Sequence, residues 1–240
     1  MVDDWNIRTK LAIGNQAVEK LEGSHVLVVG LGGVGAFAAE MLVRAGIGRL
    51  TIVDGDHVQA SNRNRQLPAL VSTQGMAKTE VMAQRLLDIN PRLQLETIHA
   101  YVKDQPLIDL LQRHPYNYVV DAIDTLAPKV YLLYYAHKFG LRVVSSMGAG
   151  GKFDPTLVQI ADISQTHTCR LAYYIRKKLH RLGVYEGITA VYSPELVSRD
   201  TIEALDAEMN KKSTVGTVSY MPAAFGICCA SVVIRQLSGL

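Results

Sequence analysis

The 240-residue chain is 48% hydrophobic and 20% charged, the balance of an ordinary globular protein and not of a disordered or collagen-like one. A formal net charge of +3 permits a nucleic-acid partner without demanding one. The three cysteines, Cys169, Cys228 and Cys229, exclude a disulfide framework and a four-cysteine zinc site within one chain.

The first residues contain no apolar signal core, so the expected location is the cytoplasm, with no membrane contact. Residues 4–22 read as a pair of amphipathic lead-in helices with Leu11, Ile13, Val18 and Leu21 as core contacts. Taken alone, Arg8 in this segment reads as a solvated surface arginine. His25–Val29 is a β-branched run suited to a parallel strand covered on both faces. Four glycines follow, Gly30, Gly32, Gly33 and Gly35, then apolar residues at helical spacing over 34–45 and a second strand over 50–53 that closes on Asp54. A strand that turns directly into a helix leaves backbone N–H groups without partners at the helix start, where they bind phosphate. Side chains there would hold the phosphate off, so glycine is needed at several positions. The Asp54 carboxylate, at the tip of the next strand, is placed for a ribose. The G-x-G-G-x-G spacing fits both a dinucleotide fold and an ATP fold.

Residues 55–75 form a long polar connector, and connectors of that length in a compact domain are usually functional. It gathers Asp56, Asn62, Arg63, Asn64, Arg65 and Gln66, and Lys78 opens the next helix, expected over 77–89. Arginine and lysine near the glycine turn would neutralise phosphates, one as a fork and the other as a point charge. A triphosphate needs such cations, whereas a nicotinamide dinucleotide does not. A strand over 94–98, a short helix over 106–111 and a strand over 118–121 come next, with Asp124 just beyond. Ligands bind at the carboxyl ends of strands in open parallel sheets, so Asp121 and Asp124 are expected to face the crevice. Asp124 is suited to Mg²⁺, which takes one or two carboxylates plus phosphates. Asp121 reads equally well as a helix N-cap.

A helix over 127–139 and a strand over 141–146 lead to Gly148, Gly150 and Gly151, whose permissive backbone is suited to lining a substrate pocket. Beyond Lys152 come a strand over 158–162, a basic helix over 171–182 with Arg176, Lys177, Lys178, His180 and Arg181, and a strand over 189–192. Residues 194–216 are polar and expected to be partly mobile, with Lys211 and Lys212 adding charge. An apolar helix over 220–237 ends the chain. Its most apolar part, 221–234, is expected to be too short to span a bilayer. The fold class is α/β: a Rossmann-like, doubly wound, mainly parallel sheet with a C-terminal strand and helix elaboration. One domain is expected, with a nucleotide-binding core over 1–150 and a substrate-side elaboration over 151–240.

Several of these residues together resemble the ubiquitin-activating-enzyme-like, ThiF-type adenylyltransferases: GLGGVG at 30–35, DGD at 54–56, SNRNRQ at 61–66, Lys78, and DAIDT at 121–125. The lead-in DWNIRTKLAIG resembles that family's opening motif and puts Arg8 on its second arginine, while Trp5 replaces the first. Within the superfamily the chain is most similar to the tRNA threonylcarbamoyladenosine dehydratases. The residues that carry this are NRQL, STQGMAK, INP, VVDAIDT, SSMGAGGKFDPT, ADISQT, the RKKL helix and VYSPE. CRLA at 169–172 stands where that family often has CPLA, and the paired C-x-x-C zinc ligands of the sulfur-carrier-activating relatives are missing from the sequence.

The resemblance implies an ATP- and Mg²⁺-dependent enzyme. It would activate the threonyl carboxylate of N6-threonylcarbamoyladenosine in tRNA as an acyl adenylate, then cyclise it with loss of water. It implies that Gly30, Gly32, Gly33 and Gly35 cradle the nucleotide, Asp54 holds the ribose, Asn62, Arg65 and Lys78 bind the phosphates, and Asp56 belongs to the same nucleotide site. Asp124 would hold Mg²⁺. Arg8 would reach into the partner's site of a homodimer. A catalytic role for the Cys169 thiol is open, because intramolecular cyclisation needs none, and so is docking of a sulfur-relay protein. The basic helix with Lys211 and Lys212 is a candidate surface for the tRNA backbone. Two alternatives stand beside this: activation of the C-terminus of a ubiquitin-like or sulfur-carrier protein, and an NAD-dependent oxidoreductase or nucleotide-sensing protein.

Overall fold

A computed structural model of the chain describes residues 5–208 and 211–240, apart from the side chains of Arg199 and residues 202–214. Asp4 and the Lys211 and Lys212 side chains therefore lie outside the described residues. Two short helices, α1 (Ile7–Ile13) and α2 (Asn15–Glu22), precede the alternating core: β1 (His25–Val29), α3 (Gly35–Arg44), β2 (Arg49–Val53), α4 (Lys78–Ile89), β3 (Gln94–Ile98), α5 (Asp104–Gln112), β4 (Tyr118–Asp121), α6 (Leu126–Lys138) and β5 (Val143–Ser146). The later part adds β6 (Gln159–Asp162), α7 (Arg170–Arg181), β7 (Thr189–Tyr192), β8 (Ile202–Glu208), β9 (Lys211–Val215) and α8 (Tyr220–Ser238).

Seven strands form one sheet in the order β3-β2-β1-β4-β5-β7-β6, parallel throughout except for β6, which runs antiparallel to β7. From β1 the chain winds outward through β2 and β3, then returns to place β4 on the other side of β1. That reversal opens a crevice at the carboxyl ends of β1 and β4, where doubly wound sheets bind ligands. Both faces are covered, as the continuous apolar runs require. Val26, Val28, Leu50 and Ile52 pack with Leu42, Met82 and Phe225, whereas Leu27, Val29 and Val119 pack with Leu107, Leu133 and Ile175.

Two expectations need correction. Leu11 is 80% exposed, while Val18 and Leu21 are buried and Ile13 packs against the core. Within the polar stretch 194–216, β8 pairs antiparallel with β9. The last helix spans 19 residues, long and apolar enough by length and composition to cross a membrane. Half of its apolar window is buried inside the fold. Burial of Met221, Phe225, Cys229 and Val233 in the sheet-facing core, and not shortness, accounts for its composition.

Helix α8 lies directly on α3. A Cβ on Gly226 would overlap the Val34 carbonyl oxygen and come 2.9 Å from the Phe37 Cβ. Gly226→Ala should therefore destabilise the protein by about 1–3 kcal/mol through overpacking. In a calorimetric scan this is a Tm lowered by roughly 2–12 °C for a chain of this size.

Candidate active site

The turn after β1 is built by close approach of backbone to backbone. Gly30 has φ of 94°, and a Cβ on it would sit 2.7 Å from the Ala122 carbonyl oxygen at the end of β4. A Cβ on Gly35 would overlap the Gly30 carbonyl oxygen, and one on Gly33 would come 2.8 Å from the Pro222 Cβ and 3.2 Å from the Arg65 carbonyl oxygen. Only Gly32 is open, its nearest neighbour being the Gln66 Nε2 at 3.9 Å. Three of the four glycines thus serve the packing of the turn, and Gly32 is the one whose missing side chain leaves room for a ligand.

Asp54 ties two loops together. Its Oδ2 accepts a hydrogen bond from the Leu31 N–H at 2.6 Å, and its Oδ1 accepts from the Asp56 N–H at 2.7 Å. Burial pushes the carboxyl up from its ordinary range, opposed by Lys78 and by those two amides. Lys78, at the first position of α4, is buried, with Nζ 2.6 Å from Asp56 Oδ2. Tyr101 donates its hydroxyl to the other Asp56 oxygen. Its ring lies against Gly55, where a Cβ would be 2.7 Å away, yet the residue is 74% exposed. The Asp56 hydrogen bond is the main cause that pushes the Tyr101 phenol up to about 12, and the charges of Asp54 and Asp124 add to it. Asp54, Asp56, Asp124 and Tyr101 therefore share one neighbourhood. Tyr101 lay outside the sequence expectations. Its one legible signal was its place three residues beyond the carboxyl end of β3.

In the connector, a 3-10 turn over Ala60–Asn62 precedes Arg65. Asn62 is buried, and its Oδ1 accepts from the Gln59 N–H at 3.1 Å. The half-buried Arg65 donates from Nη1 to the Ser61 carbonyl oxygen at 2.9 Å and to Asn64 Oδ1 at 2.8 Å, which leaves its other donors to a ligand. Gln66 Oε1 is buried without a hydrogen-bond partner, beside the open Gly32. An orphaned acceptor at this place suits a ligand donor.

The end of β4 departs from expectation. Asp121 neither faces the crevice nor caps a helix. It is fully buried, 2.6 Å from Lys129 Nζ, and it accepts hydrogen bonds from Ser145 Oγ at 2.6 Å and the Ile123 N–H at 3.1 Å. Lys129 Nζ also donates to the Ile123 carbonyl oxygen at 3.0 Å. The pair therefore clamps both backbone polar groups of Ile123, next to the exposed Asp124. Its use of β5 and of a lysine one turn into α6 could not be read from DAIDT alone. Among the described residues no three His, Cys, Asp or Glu side chains gather as metal ligands. A Mg²⁺ carried in by phosphates needs only one or two carboxylates, and Asp124 fits that requirement.

The remaining candidates lie apart. Arg8 stands exposed on α1, which packs on α2. Cys169 is buried at the N-cap of α7, bordering a separate cavity of about 370 Å³ with Thr168, Tyr173, Tyr174 and Arg176. Arg176 turns inward to the Thr166 hydroxyl and carbonyl oxygens, so the exposed basic face of α7 is Lys177, Lys178, His180 and Arg181. Gly150 and Gly151 do not line an open pocket at their Cα atoms. A Cβ on them would meet Val215 and Val197, and Gly151 N–H donates to the Gly216 carbonyl oxygen at 2.8 Å.

The ThiF family profile matches residues 6–240. The tRNA threonylcarbamoyladenosine dehydratase of Bacillus subtilis is 38% identical over 96% of this chain and 93% of its own length. Crystal structures of the E. coli tRNA N6-threonylcarbamoyladenosine dehydratase in complex with ATP and with AMP superpose with a TM-score of 0.88 at 33% identity, covering 99% of this chain and 96% of that one. The adenylyltransferase and sulfurtransferase MOCS3 of Anopheles gambiae is 41% identical, but over only 50% of this chain and 27% of its own.

Two measurements check the site electrostatics. The difference in ultraviolet titration between the wild type and Tyr101→Phe should show a phenol ionising at about 12, and Asp56→Asn should bring it down toward about 10. Lys129→Met leaves a buried carboxylate without its cation and should cost about 3–5 kcal/mol in urea unfolding, most of it recovered by the added Asp121→Asn.

Proposed function

The chain belongs to the ThiF family, and from that premise we propose that it is an ATP-dependent tRNA-modifying enzyme that dehydrates N6-threonylcarbamoyladenosine through an acyl adenylate. The dehydratase names of its full-length relatives support the substrate, and the ATP and AMP complexes of the E. coli enzyme support the nucleotide. The observation that carries the reading is the buried Lys78 ammonium beside the Asp54 strand end, with Arg65 resting on the glycine turn. A triphosphate requires cations there and a nicotinamide dinucleotide does not.

The threonyl carboxylate oxygen attacks the α-phosphorus of ATP, and pyrophosphate leaves. The carboxyl oxygen is a poor leaving group, whereas AMP is a good one. A nucleophilic atom of the same threonylcarbamoyl group then attacks the activated carbonyl, the ring closes, and AMP departs. The net change in the nucleoside is loss of one water. The protein's task is to position the groups and stabilise charge. Asp54 holds the ribose. Lys78 exchanges its Asp56 partner for phosphate oxygens, and Arg65 forks onto the α-phosphate region. Asn62 and Asp56 hold the connector in register, and the Gly32 amide faces the phosphates. Asp124 would hold Mg²⁺, which when bound would neutralise phosphate charge. Tyr101 packs beside the nucleoside half of ATP.

The whole chain acts as one adenylyltransferase domain in a homodimer in which Arg8, exposed on α1, reaches the neighbouring site. The exposed Lys177, Lys178 and Arg181 on α7 meet the tRNA backbone. This chemistry needs no thiol from Cys169, and a tRNA substrate suits a cytoplasmic enzyme. The carrier-protein alternative is less favoured, because likeness to MOCS3 covers half the chain.

Three outcomes test this. Pyrophosphate release should be stimulated by tRNA carrying the modified adenosine and not by a ubiquitin-like carrier protein; the reverse result refutes the reading. Lys78→Ala and Arg65→Ala should each lower AMP formation by about 10²–10³-fold, by analogy with loss of one oxyanion donor, with the circular dichroism spectrum unchanged. Affinity for tRNA should fall steeply with salt, and replacing Lys177 and Lys178 by alanine should flatten that slope by roughly one to two units.

A further inference from the structure

A second cavity, of about 530 Å³, is bordered by Arg65, whose carbonyl oxygen lies against the glycine turn at Gly33. Ser61, Asn64 and Arg65 come from the connector after β2, and Phe153, Asp200 and Thr217 from the later part of the chain, so the lining carries one carboxylate as well as the guanidinium. Its volume falls within the range of about 300–1,000 Å³ typical of small-molecule sites. Residues that would hold ATP come from β1, β2 and the start of α4. The later part of this lining instead follows β5, across the winding reversal of the sheet.

Phe153 is held in place with unusual completeness. The Glu195 carboxylate accepts from its N–H at 2.9 and 3.0 Å and from the Asp154 N–H at 3.0 Å. Its carbonyl oxygen accepts from the Tyr220 hydroxyl at 2.9 Å. The preceding Lys152 is buried, with Nζ donating to the Ser193 and Glu195 carbonyl oxygens at 2.7 and 2.9 Å. Burying an ammonium is costly unless it is satisfied in this way. The product of this framework is an aromatic ring left 52% exposed. A singly exposed phenylalanine is ordinary. One pinned at both backbone polar groups, and sharing a cavity with the half-buried Arg65, is not. Asn64 Nδ2 closes the rim by donating to the Thr217 carbonyl oxygen at 2.9 Å.

Resting on the dehydratase reading above, we infer that this cavity is the acceptor pocket and that Phe153 is the face on which the modified adenine stacks. The two parts of the lining match the two ends of one ligand. A purine offers a flat π-face to an aromatic ring. A carboxylate a few bonds beyond N6 offers an oxygen to the Arg65 guanidinium, whose other donors serve the α-phosphate region. The Arg65 carbonyl oxygen lies against Gly33 while the residue also borders this cavity, so the glycine turn and the pocket share one residue.

The test uses the full-length enzyme with ATP and a synthetic anticodon stem-loop carrying N6-threonylcarbamoyladenosine, scored by AMP release. Phe153→Ala should raise KM for the stem-loop by roughly 5- to 150-fold, the loss expected for one base–aromatic stack. The Kd for ATP should not move, and Phe153→Tyr should restore KM. An unchanged KM in Phe153→Ala, or recovery by Phe153→Leu as complete as by Phe153→Tyr, overturns the stacking assignment while leaving the dehydratase reading intact. A wild type that releases no AMP with this stem-loop overturns the reading, and the assignment falls with it.

Discussion

The contact on which the crevice depends is backbone against backbone, where the turn after β1 meets the end of β4. The Gly30 Cα lies where an added Cβ would sit 2.7 Å from the Ala122 carbonyl oxygen, and Gly35 tucks against the Gly30 carbonyl in turn. No side chain larger than hydrogen is compatible with either approach. Because β1 and β4 are neighbours across the winding reversal, this contact brings the start of α3 against the loop that carries Asp124. The N–H groups at the head of the turn, the carboxylate beyond β2 and the carboxylate beyond β4 then have a fixed relation before any ligand arrives. Preorganisation of this kind supplies charge stabilisation without reorganisation during the reaction.

Two lysine–aspartate pairs near this contact do different work, and their surroundings explain why. Lys129 and Asp121 are both fully excluded from solvent, and their remaining hydrogen-bonding capacity goes to Ile123 and Ser145. Separating them would strand a charge in a low-dielectric interior, so the pair persists and the loop next to Asp124 stays in shape. Lys78 is equally buried, but its partner Asp56 is about half exposed and is also engaged by Tyr101. On the proposed reading, a phosphate would take the place of Asp56 at Lys78, and Asp56 would turn to water and Tyr101 at little cost. The first pair is a fastening and the second is a placeholder.

How much of this was legible in the sequence depends on the range of the interaction. The strands β3, β4 and β7 were readable to the residue, because a short β-branched run between turn signals is a local pattern. The glycine turn, Asp54 and Lys78 were readable for the same reason, each sitting at an end of a recognisable element. What escaped was set by contacts distant in the chain. The burial of Asp121 depends on Lys129 and on Ser145 of a different strand. The place of Tyr101 depends on the absence of a side chain at Gly55. The pairing of β8 with β9 carries a register shift between Ala204 and Glu208, which a polar sequence without clean alternation does not announce. Leu11 shows the reverse error: a correct helix whose apolar residue was assigned to the wrong side.

The part of the chain beyond residue 150 is not an appendage to the nucleotide-binding half. It is joined to that half by the same device that shapes the turn itself. Helix α8 reaches α3 at Gly226, Pro222 lies where a side chain on Gly33 would be, and Gly151 donates its N–H to Gly216 at the foot of the hairpin. Tyr220, on the first turn of α8, then holds the carbonyl oxygen of Phe153. One helix thus touches both the glycine turn and the loop that presents the exposed aromatic ring. A shift of α8 relative to α3 would move the Phe153 wall relative to Arg65, so the tight seat at Gly226 sets the width of the cavity between them. Packing density at a buried glycine and the geometry of the open cleft are therefore a single constraint in this fold.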